Sequence, residues 1–193
     1  MSKNIVLCGV GGQGTILASK LISAAAMAQG LPVKSAETIG MAQRGGSVFS
    51  HIRIGEDAVC PMIAKGTADI ILGFEPGETV RMLPYLRQGG LVVVSKRAVM
   101  PVTAALAGSN YNGEEMVKYL RSVVDRLMVV DTDKACGELG SAKIVNLLLL
   151  GAAAASGDLG LSVEDIRQAV IDRVPTKFHQ LNFSALDYAA NLK

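Results

Sequence analysis

Between residues 5 and 22 the chain passes from Ile5-Val6-Leu7-Cys8 through the turn Gly9-Val10-Gly11-Gly12-Gln13-Gly14 into a segment of helical period. A short, wholly apolar run is the pattern of a strand buried on both faces, as in a parallel sheet. After Gln13, the residues Ile16, Leu17, Leu21 and Ile22 recur on one helical face, Ala24 to Ala28 continue it with strong helix formers, and Gly30 supplies a stop. Leu31 to Glu37 then returns as a second strand, so fewer than 40 residues read as strand, glycine turn, helix, strand, a βαβ unit. Parallel strands need such a crossover, and the unit commits the chain to an α/β fold.

The remainder agrees with that class. Ser47 to Ile54 alternates, with Val48, Ser50, Ile52 and Ile54 on one face and Phe49, His51 and Arg53 on the other. Gly55-Glu56-Asp57 is expected to turn this strand back into Ala58 to Ile63 as an antiparallel hairpin. Asp69 to Gly73, Leu91 to Ser95 and Leu127 to Asp131 are further apolar strands, and Pro76 stands near the start of the helix after the first of them. The last third reads as helical: Ser141 to Ala155, Ser162 to Ile171 opened by the capping signal Ser162-x-x-Asp165, and Lys177 to Ala190 after Pro175. The expected architecture is a Rossmann-like, three-layer α/β domain with a mostly parallel sheet, an antiparallel hairpin excursion and a helical C-terminal third. At 193 residues one domain over residues 1–193 is the simplest division, at about 100–200 residues per domain.

Composition removes several functions. With 50% hydrophobic and 19% charged residues the chain is not disordered. Cys8, Cys60 and Cys136 lie far apart with no Cys-x-x-Cys or Cys/His spacing, so the chain is not expected to hold an iron-sulfur cluster alone. An odd cysteine count suits a reducing, cytoplasmic setting. Lys3 followed by Ile5 to Val10 is too short for a signal peptide and ends in glycines rather than a cleavage site. The longest apolar stretch, Leu147 to Ala155, is nine residues, against the roughly 20 that a membrane helix needs, and reads as a buried helix. Aromatic content is 4% with no tryptophan, and no basic run occurs, which argues against nucleic acid. Charge is unevenly spread: residues 1–54 carry Lys3, Lys20, Lys34, Arg44 and Arg53 against the one acid Glu37, a net +4, while the rest is −2. That basic quarter points to an anionic partner.

The glycine turn satisfies Gly-x-Gly-x-x-Gly between strand and helix, where glycines let a backbone approach an anion and the helix start presents unpaired N–H groups. A diphosphate fits there, and Glu37 ends the second strand where an acid would bind the ribose of a dinucleotide. The same glycines also serve close helix–strand packing. A second unusual stretch, Gln43-Arg44-Gly45-Gly46, faces the same crevice if it lies at the carboxyl ends of the strands. Arg44 then offers forked donors to phosphate or carboxylate, Gln43 orients a polar group, and Gly45 and Gly46 permit close approach. The alternative is a surface turn with Arg44 solvated. The residues singled out for cofactor contact are Gly9, Gly11, Gly12, Gln13, Gly14 and Thr15 in the first loop and Gln43, Arg44, Gly45 and Gly46 in the second. His51 is a candidate acid/base or phosphate contact with a structural alternative, and His179 reads as surface. Asp131-Thr132-Asp133 could suggest a metal but reads rather as a cap of the next element, Glu114-Glu115 reads as first-turn charge on a helix, and the methionines read as core fillers. No catalytic group and no metal ligand set is identified.

With both loops in view, the sequence resembles the gamma-type component of the 2-oxoacid:ferredoxin oxidoreductases, most closely in the indolepyruvate branch. The resemblance is carried by Gly9 to Thr15, Ala36-Glu37-Thr38, Gly40 to Ser47, Ser50-His51-Ile52-Arg53 and Leu72 to Pro76. Pro84-Tyr85-Leu86, Gly89-Gly90 and Asn146 to Gly151 extend it over nearly the whole chain. It implies a subunit of a larger enzyme in which a thiamine diphosphate carbanion attacks the 2-oxoacid, carbon dioxide leaves, electrons pass through iron-sulfur clusters to ferredoxin, and the acyl group goes to coenzyme A. The thiamine diphosphate, its Mg and the 4Fe-4S clusters would belong to a large alpha partner. Gly157-Asp158-Leu159 with Asn182 only imitates a thiamine-site pattern, because Leu159 stands where glycine is needed. This chain, inactive alone, would complete the active-site cleft and help to hold coenzyme A. Two other readings stay open on the residues alone: a free-standing NAD- or FAD-dependent oxidoreductase, and a non-enzymatic scaffold.

Overall fold

The computed structural model describes residues 2–38, 45–100 and 110–192. Six strands form one sheet: β1 (Lys3–Val10), β2 (Val33–Glu37), β3 (Ser47–Ile54), β4 (Ala68–Gly73), β5 (Leu86–Ser95) and β6 (Arg126–Val130), in the order β2-β3-β1-β4-β5-β6. β1, β4, β5 and β6 run parallel, whereas β3 is antiparallel to both of its neighbours. The helices are α1 (Thr15–Ala28), α2 (Pro76–Met82), α3 (Gly113–Val123), α4 (Thr132–Glu138), α5 (Val145–Ala155), α6 (Val163–Arg173) and α7 (His179–Ala190).

The apolar runs divide by strand alternation into two cores. Ile5, Leu7, Ile52, Ile54, Ile70, Leu72, Leu91 and Val93 face α1, α5, α6 and α7, while Val6, Cys8, Ile71, Val92 and Val94 face Leu120 and Val124 at α3. This is the expected three-layer arrangement. From Val145 to Ala154, every residue of α5 is buried, and the helix touches α1, α6, α7 and strands β4 to β6. Each fully buried Leu or Ile stabilises the fold by roughly 1.5–3 kcal/mol, so α5 anchors the helical layer. Pro76 opens α2 as expected, Gly30 ends α1 with φ +75°, and Ser162 with Asp165 forms a complete capping box on α6.

Three expectations change. Ala58 to Ile63 forms no strand: both edges of β3 are already paired, by β1 and β2, so a returning hairpin has nothing to pair with. The antiparallel excursion is β3 itself, inserted between the two parallel strands of the first βαβ unit. Among the described residues no methionine is fully buried: Met27, Met62 and Met100 are about half exposed, and Met82 and Met128 only pack against the cores from their margins, so the methionines border the core more than they fill it.

Candidate functional site

The register of β3 explains why the two glycine loops meet. Val10 pairs with Ser47 and Gly9 with Val48, so the segment entering β3 arrives beside the end of β1. There Gly11 N–H donates to the Gly46 carbonyl at 2.9 Å, and Gly45 N–H to the Gly11 carbonyl at 3.4 Å. Gln43 and Arg44 lie outside the described residues.

Within the first loop the glycines have different duties. A Cβ on Gly9 would sit 2.7 Å from the Phe74 Cβ, so this position is reserved for close packing of β1 against the end of β4. Gly12 and Gly14 have φ of +102° and +85°, which disfavours any side chain. The Gln13 side chain bridges the crevice between β1 and β4: its Oε1 accepts from Val10 N–H at 2.7 Å and its Nε2 donates to the Phe74 carbonyl at 3.0 Å. Thr15, the first residue of α1, is buried. The first helical hydrogen bond runs from Ala18 N–H to the Gly14 carbonyl, and no side chain caps the helix. The N–H groups of Thr15, Ile16 and Leu17 therefore have no helical acceptor, at the positive end of a 14-residue helix.

These groups border a cleft of about 340 Å³ lined by Gly12, Gln13, Gly14 and Leu17 on one side and by Arg97, Val99, Lys143 and Asn146 on the other. Arg97 follows β5. Its N–H donates to Ser95 Oγ, itself bonded to Thr132, and its guanidinium lies 3.6 Å from Asp133. Lys143 is exposed on the short 3₁₀ turn before α5, and Asn146, the second residue of α5, is 3% exposed with no partner for its Oδ1 among the described residues. Arg97, Lys143 and Asn146 escaped the sequence reading. The available signal was that cations just past the ends of parallel strands face the ligand crevice; for Asn146 it was a single amide heading the apolar run Leu147 to Ala155.

Behind this wall lies a buried acid. Glu75, the cap of α2, accepts from Glu78 N–H at 2.9 Å, from Val99 N–H at 3.4 Å and from the Tyr111 hydroxyl. Burial and the adjoining Glu75 carboxylate push the Tyr111 phenol above its ordinary range. Glu78 accepts from Ser47 Oγ at 2.5 Å, tying the entry of β3 to α2. Cys8 is buried and its thiol is pushed well up by desolvation, which leaves it protonated.

The other candidates resolve into structure. His51 is fully buried, accepts from Ile63 N–H through Nδ1 at 3.0 Å and packs against Phe49 and Tyr85. Arg53 binds Asn4 Oδ1 and the carbonyls of Cys60 and Asp57. His179 is half-buried rather than on the surface, bonded to the Val174 carbonyl. Asp131 caps α4, Glu114 and Glu115 lie in the first turn of α3, Asp158 pairs with Arg126 at 2.6 Å, and Asn182 bonds the Phe178 carbonyl inside α7. Glu37 accepts from Ser19 Oγ at 3.1 Å. With β3 between β1 and β2, Glu37 stands one strand spacing, about 4.8 Å, farther from the glycine turn than a ribose-binding acid on a neighbouring strand would.

The basic first quarter also disperses. Lys3 starts β1 at the end away from the turn, Lys34 lies opposite Arg53 on β2, and Lys20 is exposed along α1. Among the described residues the cations beside the cleft are Arg97 and Lys143, outside that quarter. Three larger hollows, about 530, 610 and 370 Å³, lie at the amino end of β5, beside the edge strand β2 and between α3 and the end of β6. None of the three meets the glycine turn. Among the described residues no group of three His, Cys, Asp or Glu could hold a metal, and no helix is long and apolar enough to cross a membrane.

Comparison with known proteins agrees with this arrangement. The sequence model of pyruvate ferredoxin/flavodoxin oxidoreductase matches residues 4–192. The indolepyruvate oxidoreductase subunit IorB of Pyrococcus horikoshii is 36% identical over 186 residues, 95% of this chain and 92% of that protein. Its namesake from Archaeoglobus fulgidus is 35% identical over 192 residues, 99% of this chain and 95% of that one. In fold, the gamma subunit of a keto/oxoacid ferredoxin oxidoreductase from Geobacter sulfurreducens matches with a TM-score of 0.70 at 24% identity, over 97% of this chain and 96% of that chain. The 2-oxoglutarate:ferredoxin oxidoreductase of Magnetococcus marinus matches the whole chain with a TM-score of 0.73 at 19% identity, over 32% of its own chain.

Proposed function

The chain belongs to the pyruvate ferredoxin/flavodoxin oxidoreductase family as a subunit of a 2-oxoacid ferredoxin oxidoreductase, and we propose that its share of the work is to hold coenzyme A at the glycine turn. The observation that carries this reading is the joining of the two glycine loops at the carboxyl end of β1, beside the uncapped start of α1 and the cations Arg97 and Lys143. Open backbone N–H groups, a helix dipole and two cations together suit a diphosphate. Gly11, Gly12, Gly14, Gly45 and Gly46 bring the backbone close, Arg44 adds charge from the second loop, and Gln13 and Gly9 fix the turn against β4 rather than touching the ligand.

Coenzyme A bound there supplies the thiol that takes the acyl group. Among the described residues that line the cleft no nucleophile is paired with a general base, so the chain binds and orients while decarboxylation and electron transfer would proceed on a large partner carrying thiamine diphosphate, Mg and 4Fe-4S clusters. The acid is an aryl pyruvate, indolepyruvate being the substrate class named for its relatives. The chain works in the cytoplasm, inactive by itself, and reduces ferredoxin only through the complex.

Co-expression with a thiamine-dependent large subunit tests this. The assembled complex should reduce ferredoxin with indolepyruvate faster than with pyruvate or 2-oxoglutarate. Gly12→Val and Arg44→Ala should each raise the KM for coenzyme A at least tenfold. An unchanged KM in both variants removes coenzyme A from this loop.

A further inference from the structure

The β2 edge of the sheet is open to pairing. Among the described residues no strand lies beyond β2. Thr38 N–H donates to the Phe49 carbonyl and Gly55 N–H to the Pro32 carbonyl, so the even-numbered residues from Pro32 to Thr38 turn their backbone groups towards β3. By the alternation of an antiparallel ladder, Val33, Ser35 and Glu37 turn theirs outward. β2 has neither the proline nor the bulge that commonly blunts such an edge. Beside it the hollow of about 610 Å³ is lined by Ser35 and Glu37 of the strand, by Lys20, Ser23 and Met27 of α1, and by Arg173.

The stripe of α1 along this edge is self-complementary. Ile16, Lys20, Ser23 and Met27 fall on one helical face, with Ile16 42% and Met27 52% exposed. Read from either end, the stripe places two polar residues between two apolar ones. Two antiparallel copies therefore set Ile16 against the partner's Met27 and Lys20 against the partner's Ser23. The strand selects the same centre. The bond from Ser19 Oγ to Glu37 fixes the level of α1 on β2, and as a crossover helix α1 runs opposite to the strand. From Ser19 to the middle of the stripe is about 4 Å, at about 1.5 Å per helical residue. Back along β2 that is roughly one residue of about 3.3 Å, from Glu37 to Ala36. A two-fold axis through Ala36 pairs the outward N–H and C=O groups of Ser35 with those of the partner's Glu37. It also sets Ala36 opposite the partner's Ala36, small enough for the close approach of a pair without hydrogen bonds. An axis through Lys34 would instead oppose two ammonium groups.

We propose that β2 and α1 form the contact face between two copies of this chain, related by a two-fold axis through Ala36, so that the six-stranded sheet continues into that of the second copy. The inference goes beyond the coenzyme A reading and does not depend on it. Four backbone hydrogen bonds cross the axis, while Ile16 and Met27 bury their exposed surfaces against each other above the joined strands.

Sedimentation equilibrium of the full chain should show a dimer. Ile16→Glu and Met27→Lys should each raise its dissociation constant at least tenfold; each new charge suits its end of the helix dipole, so α1 stays folded. Combined in one chain, the two charges meet across the axis with opposite sign and should restore the dimer to within about threefold. Ser35→Pro, which removes an N–H that β3 does not use, should weaken the dimer as the single charges do. In the assembled complex with its large subunit, Ala36→Cys in a Cys60→Ser background should give a disulfide between two copies on mild oxidation. Lys34→Cys in that background, set apart by the axis, should not. A chain that stays monomeric alone and gives no Ala36→Cys cross-link in the complex overturns the proposal, as does a combined variant that fails to restore the dimer. If the single charges instead release the chain from its large subunit and the combined variant does not rebind, the edge belongs to that subunit and the proposal falls.

Discussion

At Glu75 one buried carboxylate gathers three donors from separate segments: Glu78 N–H within α2, Val99 N–H beyond β5 and the Tyr111 hydroxyl. Val99 is two residues from Arg97, and both line the cleft, so Glu75 positions that wall of the cleft. Glu75→Gln replaces one acceptor oxygen with a donor among donors, at a cost of about 1–3 kcal/mol. The assembled complex should show a KM for coenzyme A raised several-fold with kcat nearly kept, beside a lowered melting temperature. His51 gives a pH test. Its Nδ1 accepts from Ile63, so the neutral ring carries its proton on Nε2, buried without a partner among the described residues. Burial holds its pKa below the ordinary 6.5, so the unfolded chain binds the proton more readily. The stability involved is present above about pH 6.5 and is lost as the pH falls through the folded value. Melting temperature measured between about pH 7.5 and 5 should fall on acidification, and more shallowly in His51→Gln; equal slopes would clear His51 of the effect. Single residues were legible where their type is demanding, as at Gly12 and Gly14. Arg97, Lys143 and Glu75 were not legible, since each matters only through neighbours that the fold brings from distant segments.

At the scale of elements, the first βαβ unit and the three terminal helices could be read because apolar period and caps are local properties. Ser162 and Asp165 make the point: Ser162 Oγ accepts from Asp165 N–H at 3.1 Å, and Asp165 Oδ2 accepts from Ser162 N–H at 2.7 Å. Replacing Ser162 with Ala should cost about 0.5–2 kcal/mol, read as a shift in denaturant midpoint with an unchanged slope. Ligand affinity should not move, because α6 does not line the cleft. The place of β3 was not legible. Its alternation fits an edge hairpin as well as an interior antiparallel strand, and only pairing with both β1 and β2 decides between them. That choice has functional weight: the antiparallel direction of β3 delivers the second glycine loop to the first and moves Glu37 away from it.

For the whole molecule, the parallel strands end on one side of the sheet, and the cleft draws a glycine turn from β1, Arg97 from beyond β5 and Lys143 from beyond β6. The +4 of residues 1–54 suggested a local anion site, but most of that charge is spent elsewhere: Arg53 is bound by Asn4, Asp57 and Cys60, and Lys3 sits at the far end of β1. Fold topology, not the run of charge along the chain, concentrates cations at the cleft. The two sources predict different salt behaviour. Charges spread over a surface attract through long-range steering, whereas Arg97 and Lys143 would act at contact. Screening shortens from about 10 Å at 0.1 M salt to about 3 Å at 1 M. Coenzyme A affinity of the assembled complex should therefore fall as salt rises. The combined Arg97→Gln and Lys143→Gln variant should flatten that dependence, while Lys3→Gln with Lys34→Gln should leave it intact. The reverse pattern would return the anion attraction to the basic first quarter.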